Sequence, residues 1–207
     1  MALTIGTNSG FVISTPSGNP EASTFSLSNT KIVIKDTSPS TATKITEVGF
    51  YFLNPSATTP GVNFEVGLYS PDGAVVPGEA GTLLYASQIN DSGTVDGWLS
   101  VAVDWDISPS TVYWIGIQID TMTGIRTQYK TSGGYGIDYA TSSSTLSNPF
   151  GGGSIYDING AWAVYAKWSS GVSGPANLKS YNTNLKANIK TINTNPIANV
   201  KSLNTNV

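Results

Sequence analysis

Apolar and polar residues alternate along most of the first 168 positions. In Val62–Tyr69 (VNFEVGLY), Val62, Phe64, Val66 and Leu68 share one face, the period-two pattern of a half-buried strand. Similar runs cover Lys31–Lys35, Lys44–Leu53, Thr82–Ile89, Trp98–Trp105 and Thr111–Ile119. A last run, Ala161–Trp168, sets Ala161, Ala163, Tyr165 and Lys167 against Trp162, Val164, Ala166 and Trp168. Turn formers separate the runs: Asn54-Pro55, Thr59-Pro60-Gly61, Pro71-Asp72-Gly73, Pro77-Gly78, Ser92-Gly93, Asp96-Gly97 and Ser108-Pro109. Strands about 10–20 residues apart, with no helical period between them, predict an all-β sandwich. About eight to ten strands, and no Cys–Trp–Cys spacing, favour a jelly-roll-like sandwich over an immunoglobulin-like one.

The pattern weakens over residues 131–160. Gly133-Gly134-Tyr135-Gly136, Ser142-Ser143-Ser144 and Gly151-Gly152-Gly153 read as long loops at one end of the sandwich. Loops on a rigid scaffold commonly carry binding. Tyr135, Tyr139 and Tyr156 are therefore the candidate ligand contacts, with a glycan as the candidate ligand. Asp157-Ile158-Asn159-Gly160 reads as a hairpin turn before the last strand.

After residue 168 the character changes. Residues 169–175 (SSGVSGP) read as a linker, and residues 176–207 repeat with a period of eleven. Lys179–Ile189 is one unit, Lys190–Val200 a second, and Lys201–Val207 begins a third. Each carries Lys-(Ser/Thr)-apolar-Asn-Thr-Asn. The apolar steps of three and four residues match an eleven-residue helical period, but the Asn-Thr-Asn tripeptides and Pro196 oppose a helix. Short strands joined by Asn-Thr-Asn turns, as arches or hairpins, fit the residue types better. A segment of about 30 residues buries too little apolar surface to fold alone. It is expected to dock or oligomerise through Lys179, Tyr181, Leu185, Lys186, Ile189, Lys190, Ile192, Val200, Lys201 and Leu203.

Charge sharpens that expectation. The segment from residue 169 holds four lysines and no acid, while the rest holds six basic and thirteen acidic residues, a net of −7 within a total of −3. A cationic arm on an anionic body suits association between copies. Four dispersed lysines without arginine argue against nucleic acid as the partner. Only 11% of residues are charged, against roughly 25% in an average domain, and Ser, Thr, Asn and Gly supply the polarity instead.

The chain has no cysteine and no histidine. That removes disulfides, the usual zinc ligands and histidine-based acid–base catalysis. Neither a metal nor another cofactor is expected. Trp98, Trp105, Trp114, Trp162 and Trp168 lie within strand patterns, where packing is the default role. Asp91, Asp96, Asp104 and Asp106 gather around one strand and read as turn caps and solvated ends in preference to a calcium loop. Glu47 and Glu65 are the carboxylates a glycoside hydrolase would need to pair, but no further motif accompanies them. No enzymatic activity is expected.

The stretches Ile45–Phe52, Phe64–Ser70, Trp98–Val101 and Val112–Ile117 resemble jelly-roll-like modules of phage and bacterial surface proteins. The tail resembles the Lys-Ser-Asn-Gly-type repeats that end tailed-bacteriophage virion proteins, with Asn-Thr-Asn where Asn-Gly is usual. This resemblance implies a structural virion component: a capsid decoration, collar, baseplate or fibre protein. Its partners would be other virion proteins or sister copies, a trimer among the possible homo-oligomers. The N-terminus lacks the basic start and apolar run of a signal peptide, and no stretch approaches about 20 apolar residues. The expectation is a chain made in the host cytoplasm and assembled into the virion, with no membrane contact.

Overall fold

The computed structural model describes residues 1–20, 22–27, 29–53, 63–73, 79–89, 95–120, 125–130, 137–141, 143, 145–151, 154–156 and 161–170. These contain thirteen strands and no helix. They are β1 (Gly10–Val12), β2 (Ser23–Ser26), β3 (Thr30–Thr37), β4 (Lys44–Phe52), β5 (Phe64–Tyr69), β6 (Leu83–Ile89), β7 (Gly97–Asp106), β8 (Val112–Ile119), β9 (Arg126–Lys130), β10 (Ile137–Thr141), β11 (Ser154–Tyr156), β12 (Ala161–Trp162) and β13 (Val164–Ser169).

Two sheets face each other. One has the order β1-β13-β4-β7 and the other β11-β10-β3-β8-β5-β6. Eight of these strands, β1, β3, β4, β5, β6, β7, β8 and β13, pair in a nested way. The first pairs with the last, β3 with β8, β4 with β7, and β5 with β6. The contacts β13·β4 and β8·β5 then join these pairs into sheets. A long hairpin rolled on itself gives this nesting, so the sandwich is a jelly roll.

One pair departs from the rolled hairpin: β1 runs parallel to β13. Gly10 lies in the left-handed region at φ +66°, and a Cβ there would sit 2.3 Å from the Asp36 carboxylate. Only glycine lets the chain turn while the β3 residue Asp36 accepts the Phe11 N–H at 2.8 Å. That bond ties the two sheets together at this edge. Burial raises the Asp36 pKa, against the lowering effect of the N–H groups of Phe11 and Thr37.

The core lies between the sheets. Phe64, Val66 and Leu68 of β5 face Ile45, Val48, Phe50 and Phe52 of β4, and all are almost fully buried. Phe50 meets Phe64 edge-on at 5.2 Å. Each such side chain contributes roughly 1.5–3 kcal/mol on burial. A third, small sheet of order β12-β9-β2 adjoins this core. There Trp162 is 1% exposed and packs against Phe25 at 4.8 Å and Tyr129 at 5.5 Å.

The expected run Ala161–Trp168 is thus two strands. Ala163 breaks them, accepting from Tyr51 N–H at 2.9 Å and donating to the Gln128 carbonyl at 2.9 Å. The break lets Ala161, Trp162, Ala163 and Val164 all be buried, where strict alternation would expose every second one. Strand β13 continues to Ser169, the first residue of the expected linker. The rest of that linker beyond Ser170, and the whole tail at 176–207, lie outside the described residues.

Residues 131–160 also differ from the expected end loops. Ile137–Thr141 and Ser154–Tyr156 are strands that extend the second sheet beyond β3. Ile, Tyr and Thr are strand formers, and the surrounding glycines and serines masked that signal.

Candidate functional site

Each sheet has an outer face, and on both a glutamate engages the protein's own chain. On the first sheet, Glu47, Gly49 and Tyr51 of β4 point outward beside Tyr165 and Lys167 of β13 and Trp98 of β7. Tyr165 packs over Gly49, where a Cβ would lie 2.8 Å from its ring. Trp98 meets Tyr51 at 5.3 Å and Tyr165 at 5.5 Å, both edge-on.

The Glu47 carboxylate accepts from the Tyr165 hydroxyl and from Thr15 Oγ1 at 2.9 Å, and pairs with Lys167 Nζ at 3.4 Å. Burial alone would raise its pKa, but those hydrogen bonds and the Lys167 ammonium outweigh it and hold the carboxyl below its ordinary value. Tyr165 moves the other way, raised by burial and by its bond to Glu47. The segment after β1 lies against this face, where Trp98 Nε1 donates to the Gly18 carbonyl at 2.8 Å, and it also meets the third sheet, where Gln128 Nε2 donates to Asn19 Oδ1 at 2.8 Å.

On the second sheet the register creates three cross-strand rows. Lys31, Gln118 and Glu65 form a polar row; Val33, Gly116 and Gly67 a small one; Lys35, Trp114 and Tyr69 an aromatic one. Residues 145–151 cross these rows. Leu146 seats over Gly67, where a Cβ would lie 2.6 Å from Leu146 Cδ1. Phe150 meets Tyr69 edge-on at 5.2 Å. Glu65 accepts the Leu146 N–H at 2.5 Å, and the Tyr69 hydroxyl donates to the Ser147 carbonyl at 3.1 Å.

Lys31 is 5% exposed. Its ammonium donates to Ser147 Oγ at 2.6 Å and to the Phe150 carbonyl, and lies 4.5 Å from the Phe150 ring centre. Burial lowers its pKa. Three contacts therefore answer a buried cation, and none of them is a carboxylate.

The candidates from the sequence fall as follows. Tyr135 lies outside the described residues. Tyr139 is in β10, opposite Ile32 and Ser154, and Tyr156 is in β11, opposite Ile137. The tail residues Lys179, Tyr181, Leu185, Lys186, Ile189, Lys190, Ile192, Val200, Lys201 and Leu203 lie outside the described residues. Glu47 and Glu65 sit on opposite outer faces with the core between them, so they do not flank a common substrate bond. Asp104 and Asp106 hold Lys44 at 2.5 Å and 3.2 Å, and Asp91 lies outside the described residues. Among the described residues, no group of three or more acidic side chains is placed to hold a metal ion. No described helix is long and apolar enough to cross a membrane.

Trp105, Trp114 and Trp162 are buried, while Trp98 and Trp168 are half-buried. Trp105 stacks on Tyr85 at 5.5 Å, with the rings 9° from parallel.

Sequence reasoning missed Lys31, Gln118 and Tyr69 as a set, together with the crossing segment. A signal was present. Val112–Ile119 (VYWIGIQI) is almost continuously apolar, which marks a strand buried on both faces. Comparison with known proteins returns no matching family model, no matching curated protein and no matching solved structure.

Proposed function

We propose that the chain is a structural component of a phage virion, with no catalytic role, whose jelly-roll body is attached to its neighbours by the repeats at residues 176–207. The nested strand pairing carries this reading, because the jelly roll is an architecture of capsid and lectin domains. Fold alone does not assign function. The sequence of the tail adds what the fold lacks: a cationic segment whose apolar positions recur at steps of three and four and which is too short to bury them alone.

The body supports the same division of labour. On its outer faces Glu47, Glu65 and Lys31 are engaged by its own chain, and the core keeps the two glutamates apart. Sister copies or other virion proteins are the partners this reading requires, and a homo-oligomer is its simplest form.

The test is to separate virus particles from the producing culture on a density gradient and probe the fractions with an antibody to the body. The chain should band with the particles. A chain found only in the soluble fractions would contradict the proposal.

A further inference from the structure

We propose that residues 145–151 act as a latch: a cover that opens as one unit before the sandwich unfolds, baring Val33, Tyr69 and Trp114 of the second sheet. This does not rest on the virion reading.

Three observations carry it. First, the apolar residues under and within the cover form a cluster of their own, Val33, Tyr69, Ala80, Trp114, Leu146 and Phe150, separate from the main core. A small separate cluster is the physical basis of a subglobal opening unit. Second, the described residues of the cover add no strand to the sheet. Among the described residues, one backbone–backbone bond joins it to the body, Phe150 N–H to the Gly81 carbonyl at 2.8 Å. Its other bonds run through side chains: Lys31, Glu65 and Tyr69 of the sheet, and Asn148, which accepts the Leu83 N–H at 3.2 Å.

Third, the sheet is complete beneath the cover. Strands β3, β8 and β5 are hydrogen-bonded to one another along their length, with the main core on the other side. Lifting the cover removes Leu146 from the place over Gly67 and Phe150 from Tyr69, and it breaks no strand pairing. The charged groups stand at separate points: Glu65 grips the cover at Leu146, and Lys31 grips it at Ser147 and Phe150. If the cover moves as one unit, loosening either grip must release both.

Amide hydrogen exchange of the full chain tests this. The Leu146 and Phe150 amides should exchange at a common rate, faster than those of Ile117 and Val48 in the core strands. E65A touches the cover only at Leu146, yet it should speed Phe150 by the same factor, about ten- to a hundredfold for one lost charged hydrogen bond. K31M, which acts at Ser147 and Phe150, should likewise change Leu146 and Phe150 together. Cover amides that exchange no faster than the core in the unmodified chain would overturn the proposal without any variant. So would an E65A effect confined to Leu146.

Discussion

The two outer faces of the sandwich share a plan and differ in what their charges hold. Each has a glycine beneath a tyrosine ring: Gly49 under Tyr165, and Gly116 with Tyr69 against it. Among the described residues, each has one outward glutamate, Glu47 or Glu65. On the first face, Glu47 is satisfied largely within the sheet, since Lys167 is its direct cross-strand partner and Tyr165 its neighbour on the same strand β13. On the second, Glu65 and Lys31 reach out to the backbone and hydroxyl of a segment that belongs to no strand. Cross-strand charge pairs stabilise a sheet locally. Charges spent on a covering segment stabilise that segment, so the same residue types perform different tasks on the two faces.

The largest expected effect separates two outward glycines, Gly49 under Tyr165 and Gly67 under Leu146. A Cβ at Gly49 would meet the backbone carbonyl of Leu99 at 2.3 Å, so β4 and β7 would have to part. Gly49→Ala should cost about 3 kcal/mol in urea unfolding. At Gly67 the closest obstacle is the end of the Leu146 side chain at 2.6 Å, with Leu83 Cδ1 and the Tyr85 carbonyl at 3.1 Å. Gly67→Ala should therefore cost less, about 1 kcal/mol, and should speed exchange at the Leu146 amide most. Equal losses in the two variants would erase the distinction between a glycine packed against sheet backbone and one packed against a covering side chain.

A smaller effect depends on pH. The folded pKa of Glu47 lies below its ordinary value. Its contribution is then fully present above about pH 4.3, the usual glutamate pKa, and is lost as pH falls through the folded value. Thermal unfolding between pH 6 and pH 2.5 should show a steeper acid loss in the natural chain than in E47Q. Parallel curves would mean that Glu47 is not the group responsible. The smallest effect belongs to the exposed triad of Lys44, Asp104 and Asp106. Surface ion pairs contribute little, so D104N should leave the melting temperature unchanged, and a clear drop would show that this edge matters more than its exposure suggests.

Much of the fold was legible because period-two alternation survives wherever one face of a strand is buried. Phe64, Val66 and Leu68 share the core face as the pattern predicts, and β3 to β8 begin and end within a few residues of the expected runs. The short strands were not legible. Ser23–Ser26 and Arg126–Lys130 are mostly polar, and Gly10–Val12 is held by a turn and by Asp36 more than by its own pattern. The outer faces were harder still. Lys31 reads as a solvated strand residue until the register places it beside Gln118 and the fold brings Ser147 to it, and that contact spans 116 positions of sequence. No local pattern encodes a partner so distant. The break at Ala163 was hidden for a similar reason, since it follows from a third sheet that the sequence alone did not suggest.

The division between a self-covered body and an attaching tail is the central claim. Its most direct test is to supply the full chain and a chain ending at residue 175, in separate infections, to particles that lack the natural protein. Gradient-purified particles should carry the full chain and exclude the shortened one, with both chains equally soluble and equally folded by circular dichroism. Equal incorporation of the shortened chain would contradict the account and move the attachment to the body.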